Sequence, residues 1–275
     1  MHSQPMALDQ ELDSFPLASI DTPRGRIAYR RAGNGPPLVL LHGIGSASDS
    51  WVRQASGLGD RFTILAWNAP GYLGSAPLPI ASPAARDFGA SLWAWLDGLG
   101  IGRVTLVGQS LGAIMATSAT LLAPDRVARL VLLAPATGYG KADAALRESK
   151  LADRLAALAV LGPQGIAEKR GGAMLSPTAS ADEVGFVKAT MARIVPDGYA
   201  QAARMLSSSA IVDDLARVMC PVRVASGSAD RITPPAGCNA VAVAAGCEYL
   251  DLGPFGHACQ LEAAEAVNHL LAESL

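Results

Sequence analysis

A serine at a sharp turn between a predicted strand and a predicted helix constrains this fold more than any other segment. The turn reads Gly108-Gln109-Ser110-Leu111-Gly112. A β-branched, apolar run precedes it at 103–107, and a run of small and apolar residues follows it as far as Leu122, before Pro124. A GxSxG turn in that context lifts the serine hydroxyl out of a strained backbone. It also leaves the Leu111 N–H at a helix start without an intrahelical partner, which predicts an oxyanion donor.

A serine becomes a nucleophile when a histidine takes its proton and a carboxylate orients that histidine. The histidines are His2, His42, His257 and His269. After a strand–turn–helix serine, the acid and then the histidine follow along the chain, which excludes His2 and His42. His269 lies in a helix-patterned run at 262–275, where a polar surface position is favoured. His257 lies in a loop between a predicted strand at 247–252 and that helix, so it is the predicted base.

The orienting carboxylate is predicted to be Asp230. The segment 221–227 has the pattern of a buried strand, and Asp230 follows it at a turn, before two prolines that prevent the strand from continuing. Two competitors are weaker, because Asp251 alternates with apolar neighbours inside a strand and Glu248 stands at a strand start. A plain helix-capping role for Asp230 is the alternative.

A second glycine-containing loop completes the predicted chemistry. The buried strand 37–41 is followed by His42-Gly43-Ile44-Gly45-Ser46. Glycines allow the backbone to bend so that an N–H faces the site. The Ile44 N–H is the predicted partner of the Leu111 N–H, and His42 is expected to brace the loop rather than to titrate during catalysis.

These motifs resemble the α/β-hydrolase superfamily, in the capped branch that contains small esterases, enol-lactonases and meta-cleavage-product hydrolases. The resemblance covers residues 15–275. It implies Ser110 as nucleophile, Asp230 as acid and His257 as base, with Ile44 and Leu111 as oxyanion donors. The motifs that carry it are His42-Gly43-Ile44-Gly45, Asn68-Ala69-Pro70-Gly71, Gly108-Gln109-Ser110-Leu111-Gly112, Gly227-Ser228-Ala229-Asp230 and Gly256-His257.

Three positions depart from the pattern. Asn68 stands where the family often has Asp, at a position that is usually structural. Meta-cleavage-product hydrolases commonly carry Asn before the serine and Trp after the histidine, whereas this chain has Gln109 and Ala258. These two differences weaken the carbon–carbon hydrolase interpretation.

The chain-wide pattern predicts an α/β fold with a mostly parallel, doubly wound sheet and an inserted helical lid. Strands and helices alternate from Leu38 onward, after an N-terminal hairpin, which is typical of a parallel sheet. The alternation stops at 137–212, which we predict to be the helical cap. The predicted core is 15–136 and 213–275, and 1–14 is predicted to be a tail. Ser82 and Pro83 predict the start of a helix.

The predicted cap contains apolar side chains that are candidates for the pocket wall, although packing among the cap helices is an equal alternative for each. They are Met174, Phe186, Met191, Met205 and Leu206. A carbon–carbon hydrolase would also need a cationic group for the substrate carboxylate. Arg147, Arg193 and Arg204 are candidates, although solvated helix faces are the favoured interpretation for them.

Composition excludes several classes of function. The net charge is −2 and the arginines are scattered, so a nucleic-acid partner is not expected. Neither an apolar run of membrane-spanning length nor a secretory signal is seen, so we expect a cytoplasmic protein without membrane contact. The four cysteines form no CxxC pair, so we expect no metal. Cys259 is interpreted as small apolar filling. No cofactor is expected, and the oligomeric state, including a homo-oligomer, stays open.

The sequence therefore predicts a serine hydrolase that cleaves a small carboxylic ester or lactone, with an apolar acyl group, through an acyl-enzyme. One alternative is carbon–carbon bond hydrolysis of a dienoic ring-cleavage product by the same three residues. The other is a ligand receptor that signals through its lid.

Overall fold

A single mixed β-sheet forms the centre of the molecule. A computed structural model describes residues 7–273. The strands are β1 (Leu17–Thr22), β2 (Gly25–Ala32), β3 (Pro37–Leu41), β4 (Thr63–Trp67), β5 (Val104–Gln109), β6 (Val127–Leu133), β7 (Val222–Ser226) and β8 (Tyr249–Asp251). Their order across the sheet is β1-β2-β4-β3-β5-β6-β7-β8. The first two strands form an antiparallel hairpin, β2 also pairs antiparallel with β4, and the remaining neighbours are parallel.

Helices cover both faces of the sheet, which explains why the central strands are apolar along their whole length. The helices are α1 (Leu8–Asp13), α2 (Val52–Leu58), α3 (Ala85–Gly98), α4 (Leu111–Leu122), α5 (Ala144–Arg170), α6 (Ala181–Met191), α7 (Pro196–Ser208), α8 (Ile211–Leu215), α9 (Pro235–Ala244), α10 (Cys259–Glu262) and α11 (Ala264–Glu273). One core cluster joins the sheet to α3, α4, α8 and α9. A second joins its other face to α2 and α11. The predicted fold class is confirmed.

The helical insertion lies where strand–helix alternation stops. Between β6 and β7 the described chain forms helices and no strand. Helix α5 is interrupted at Gly162, whose backbone (φ 59°, ψ 179°) is not helical, and Pro163 follows. The predicted end of the cap at 212 falls inside α8, whose Ile211 and Leu215 lie in the main core. Helices α5, α6 and α7 therefore make up the insertion that is predicted to be the cap.

Two local predictions are wrong. The predicted tail 1–14 contains α1, in which Leu8 is fully buried and Glu11 pairs with Arg53 at 2.6 Å; residues 1–6 lie outside the described part. Helix α3 begins at Ala85 rather than at Pro83, because Asp87 accepts a hydrogen bond from the Ala84 N–H (2.8 Å) and so caps the helix there. No helix within residues 7–273 has the length and hydropathy that crossing a membrane requires.

Candidate active site

Ser110 occupies a strained turn between β5 and α4. Its φ of 53° and ψ of −116° are unusual for a residue with a side chain. A Cβ at Gly112 would lie 2.1 Å from the Leu41 carbonyl oxygen, and one at Gly108 would lie 2.4 Å from the Gly112 carbonyl oxygen. Only glycine fits at either position, so the sequence of the turn and its backbone geometry require each other.

Three predicted residues follow the carboxyl ends of parallel strands on one side of the sheet. Ser110 comes after β5, Asp230 after β7 and His257 after β8. His257 Nδ1–H donates to Asp230 Oδ2 at 2.8 Å, and both side chains are almost completely buried. The carboxyl ends of strands in an open α/β sheet are the usual place for a ligand site.

Asp230 is held as an anion by three further contacts. Its Oδ1 accepts from the backbone N–H groups of Ile232 (2.7 Å) and Thr233 (3.0 Å). The Thr233 hydroxyl lies 2.8 Å from Oδ2 and 3.1 Å from His257 Nδ1. Burial raises the pKa of Asp230, but the hydrogen bond and charge of His257 and the Thr233 bonds outweigh it, so the pKa lies below its usual value. An ionised Asp230 fixes the tautomer of His257 and leaves Nε2 free for a proton.

Ser110 and His257 line the same cavity. Within residues 7–273, no hydrogen bond joins Ser110 Oγ to His257. Such contacts are often long in ligand-free sites and tighten when substrate binds.

The predicted oxyanion donors face the same cavity. A Cβ at Gly43 would lie 3.1 Å from Ser110 Cβ, so the loop after β3 passes directly beside the serine. Ile44 and Leu111 both line the cavity. Among the described residues, neither backbone N–H donates to a protein acceptor. Two free N–H groups beside a serine hydroxyl are the arrangement that stabilises a tetrahedral oxyanion.

His42 has a different environment from His257. Its Nε2 accepts a hydrogen bond from the Ala69 N–H (3.1 Å), so the proton is on Nδ1, which donates to the Gly43 carbonyl (2.8 Å). Burial lowers the pKa of His42 to about 4, although the Gly43 bond and the charge of Asp49 oppose this. A neutral imidazole thus bridges two loops, in agreement with the predicted bracing role.

The two competing carboxylates, Asp251 and Glu248, and the cysteine Cys259 all lie outside the cavity lining. Asp251 is exposed and accepts from the Gly253 N–H at 2.8 Å, and Glu248 is also away from the cavity. Cys259 is fully buried, and its burial followed by the nearby charge of Asp230 raises the pKa of its thiol. It fills space, as expected.

Sequence reasoning missed three residues that hold the site together. Thr233 bonds to Asp230 as described above. Gln109 donates from Nε2 to the His257 carbonyl (3.0 Å), and Glu262 accepts from the N–H groups of Gly256 (2.8 Å) and Ser176 (2.9 Å). Glu262 thereby joins the His257 loop to the cap. Only the proximity of Thr233 to Asp230 in the sequence gave any signal.

The cavity has a volume of about 480 Å³. Met174, Phe186, Met191 and Leu206 line it as predicted, whereas Met205, on the buried face of α7, lies in the main core.

The predicted cap arginines do not line the cavity. Arg193 pairs with buried Asp49, Arg204 bonds to the Ala81 carbonyl at 3.3 Å, and Arg147 is half-buried on α5 outside the cavity lining. The arginines that do line it are Arg154, Arg170 and Arg231.

The profile of the alpha/beta hydrolase fold family matches residues 36–168, which contain the serine turn and the loop after β3. The strand order and the site geometry agree with that match across the remaining chain. The chain has the α/β-hydrolase fold.

Known proteins similar to this chain include several hydrolases. An esterase from Thermogutta terrifontis superposes with a TM-score of 0.84 at 23% identity, covering 94% of this chain and 97% of that one. The enol-lactonase from Burkholderia xenovorans LB400 superposes with a TM-score of 0.82 at 20% identity, covering 94% and 99%. The (E)-2-((N-methylformamido)methylene)succinate hydrolase of Acinetobacter baylyi is 30% identical over 121 residues, which are 44% of each chain. The curated relatives first in similarity are matched over about a third to a half of their length.

Proposed function

We propose that this protein is a serine hydrolase that cleaves a small carboxylic ester or lactone through an acyl-enzyme. The observation that carries the proposal is the ionised, buried Asp230 in contact with His257, in a cavity that also contains Ser110 on its strained turn. The esterase and the enol-lactonase that share this fold support the same class of reaction.

In the first half of the reaction, His257 Nε2 takes the proton of Ser110 Oγ while the oxygen attacks the substrate carbonyl. The negative charge that develops on the carbonyl oxygen is held by the N–H groups of Ile44 and Leu111. Loss of one such donor typically costs about 3 kcal/mol of transition-state stabilisation. His257 then gives its proton to the departing alcohol or enol oxygen, and Asp230 stabilises the imidazolium in between.

In the second half, water replaces the alcohol. His257 removes a proton from the water, the resulting hydroxide attacks the acyl carbonyl, and the same two N–H groups hold the oxyanion. Ser110 Oγ leaves with the proton from His257, which restores the enzyme and releases the acid. The apolar cap residues around the serine exclude bulk water from this chemistry.

Replacement of the nucleophile tests the proposal. Ser110→Ala is expected to fold normally and to lose nearly all hydrolysis of p-nitrophenyl esters, because only the hydroxyl is removed. A fluorophosphonate is expected to label the parent protein at Ser110, and mass spectrometry of the peptide locates the label. Most of the activity remaining in Ser110→Ala would disprove the assignment.

The acid is tested by a matched pair of carboxylate substitutions. Asp230→Asn is expected to lower kcat by about 10⁴-fold, since an unoriented histidine takes the wrong tautomer. Asp251→Asn removes the same charge from an exposed position that is outside the cavity, so it serves as the control. If Asp251→Asn were instead the damaging change, the acid would be wrongly placed.

Carbon–carbon bond hydrolysis is the second candidate, because it needs a cation near the serine and Arg154 and Arg170 line the cavity. A yellow ring-cleavage dienoate assayed beside a p-nitrophenyl ester separates the two reactions. The third candidate, a lid-signalling receptor, predicts very slow turnover of every substrate together with a ligand-dependent change in stability.

A further inference from the structure

The cavity beside Ser110 has an unbalanced charge. Among the described residues that line it, three are arginines and none is an aspartate or glutamate. The whole chain, in contrast, has a net charge of −2. The lining of this cavity therefore has a net positive charge, because no acidic residue offsets its arginines, and a low-dielectric wall strengthens the field of that charge.

Within the described residues, none of the three arginine side chains makes a hydrogen bond or ion pair; Arg231 is exposed, whereas Arg154 and Arg170 are half-buried. In contrast, the half-buried Arg30 pairs with Asp49, and the half-buried Arg53 pairs with Glu11. A guanidinium removed from water needs an acceptor, and its planar donors match a carboxylate.

The two arginines reach one cavity because α5 changes direction. They are 16 residues apart, and a straight helix would hold their Cα atoms about 24 Å apart. The non-helical backbone at Gly162 lies between them and turns the second half of α5. Residues of both halves then line the same space.

Arg154 lines the same cavity as Ile44 of the predicted oxyanion loop. The Tyr72 hydroxyl donates to the Ile44 carbonyl at 2.9 Å. Burial and the neighbouring Tyr199 raise the pKa of Tyr72, and the charge of Arg154 opposes this rise.

We propose that the substrate carries a carboxylate remote from the scissile carbonyl, and that Arg154 and Arg170 bind it. This inference rests on the proposed serine hydrolase activity and specifies its substrate class. The apolar wall formed by Met174, Phe186 and Met191 accepts the chain between the carbonyl and the carboxylate. Binding of this kind selects for acidic half-esters or acidic lactones over neutral ones.

Two p-nitrophenyl esters of similar length test the proposal: the monoester of glutaric acid, which ends in a carboxylate, and the hexanoate, which ends in a methyl group. The readout is the ratio of their kcat/KM values. This ratio is independent of the fraction of active enzyme, so it stays valid where a variant folds poorly. The parent protein is expected to prefer the glutarate ester.

Arg154→Gln and Arg170→Gln are each expected to lower the ratio about ten- to a hundredfold, as expected for loss of a charge-assisted hydrogen bond. Arg154→Lys is expected to restore part of it. The controls are Lys150→Gln and Lys169→Gln, which remove the same charge from exposed positions of α5 outside the cavity. They are expected to leave the ratio unchanged.

The outcomes separate the two proposals. A parent ratio that favours hexanoate, or an equal fall in the arginine variants and the lysine controls, overturns carboxylate binding by Arg154 and Arg170. Hydrolysis of both esters that persists in Ser110→Ala overturns the serine hydrolase proposal instead. A preference for glutarate that depends on both arginines and on Ser110 supports both.

Discussion

His42 and His257 show at the scale of single residues how environment decides the role of a side chain. His257 has a carboxylate on one ring nitrogen and the cavity on the other. Both ring nitrogens of His42 are occupied by backbone groups, and no face of the ring lies along the cavity. His257 can therefore accept and release a proton during turnover, whereas His42 stays neutral and has a structural role.

His42 should make stability depend on pH. Its pKa is about 4 in the folded protein, against an ordinary value of 6.5. The unfolded chain therefore binds more protons between these values, so stability is full above pH 6.5 and falls as pH drops toward 4. Between pH 7 and pH 5 the loss is about 2 kcal/mol from this residue.

Urea denaturation at pH 7 and pH 5 measures this loss, with His42→Asn as the variant in which it should shrink. Asp230 does not contribute to the loss of stability between pH 7 and pH 5. Its pKa in the folded protein is lowered from 3.8, so its stabilising contribution is lost only below that pH. NMR gives a test that does not depend on the variant: the His42 ring signals should show no titration between pH 5 and pH 8. A titration near pH 6.5 would contradict the buried neutral ring.

The residues that sequence predicted are those whose chemistry depends on local backbone form. Ser110 and Leu111 were predictable because a glycine-flanked turn joins a strand to a helix, and Asp230 and His257 because they follow strand ends in the required order. Gln109 acts through a contact across the fold, which a single chain does not encode locally, whereas Thr233 bonds to Asp230 from three residues away and reaches His257 across the fold. Arg154 was missed because the sequence pattern of α5 does not distinguish it from the exposed cationic residues of the same helix.

At the scale of elements, the sequence predicted the strands well because each is an apolar run bounded by turn residues. It failed at α1, whose burial depends on α2 and on Asp182 in the cap, since Asp182 accepts from the Leu8 N–H at 3.2 Å. The break in α5 falls at Gly162 and Pro163, two residue types that interrupt helices, but the sequence does not show that both halves face one cavity. Tertiary contacts, and not local propensity, decide these features.

Gly162 should be irreplaceable in α5. Its φ of 59° with ψ of 179° belongs to a region that is essentially limited to glycine. Gly162→Ala is expected to lower stability by about 1–3 kcal/mol. Since the change of direction places Arg154 and Arg170 on one cavity, the same variant should also weaken the preference for the glutarate ester.

Gly185→Ala is the matched control. Gly185 lies inside α6 with ordinary helical backbone and open space around its Cα. Alanine there should raise stability by about 0.5–1 kcal/mol, because it favours the helix. Thermal denaturation of both variants provides the comparison. Two shifts of the same sign would show that backbone form at Gly162 does not matter.

At the scale of the whole molecule, the cap is fixed to the core unevenly. Gln201 of α7 is buried and bonds to Leu78 through both its amide nitrogen (2.7 Å) and its oxygen (3.2 Å), and to the Ile80 carbonyl. Arg193, after α6, pairs with Asp49. In contrast, the buried residues of α5 are Leu158, near the end of its first half, and Ile166 and Ala167 in its second half. If the start of α5 moves while α7 keeps its contacts with the core, substrate can enter the cavity without separation of the whole cap from the core.

Hydrogen exchange should follow this unevenness. Segments with few buried contacts open at low free energy, so amides at 144–157 are expected to exchange fastest within the cap. Those of α7 should exchange more slowly, and those of β3, β5 and β6 slowest, because these strands are buried on both faces. Helix α3 packs one face against the core and serves as the reference for an ordinary outer helix.

Reaction of Ser110 with a phosphonate that carries a terminal carboxylate should slow exchange in α5 by engaging Arg154 and Arg170, whereas a neutral phosphonate should slow it less. Equal exchange in α5 and α7, with or without either reagent, would mean that the cap moves as one rigid part of the core and that access to Ser110 does not depend on α5.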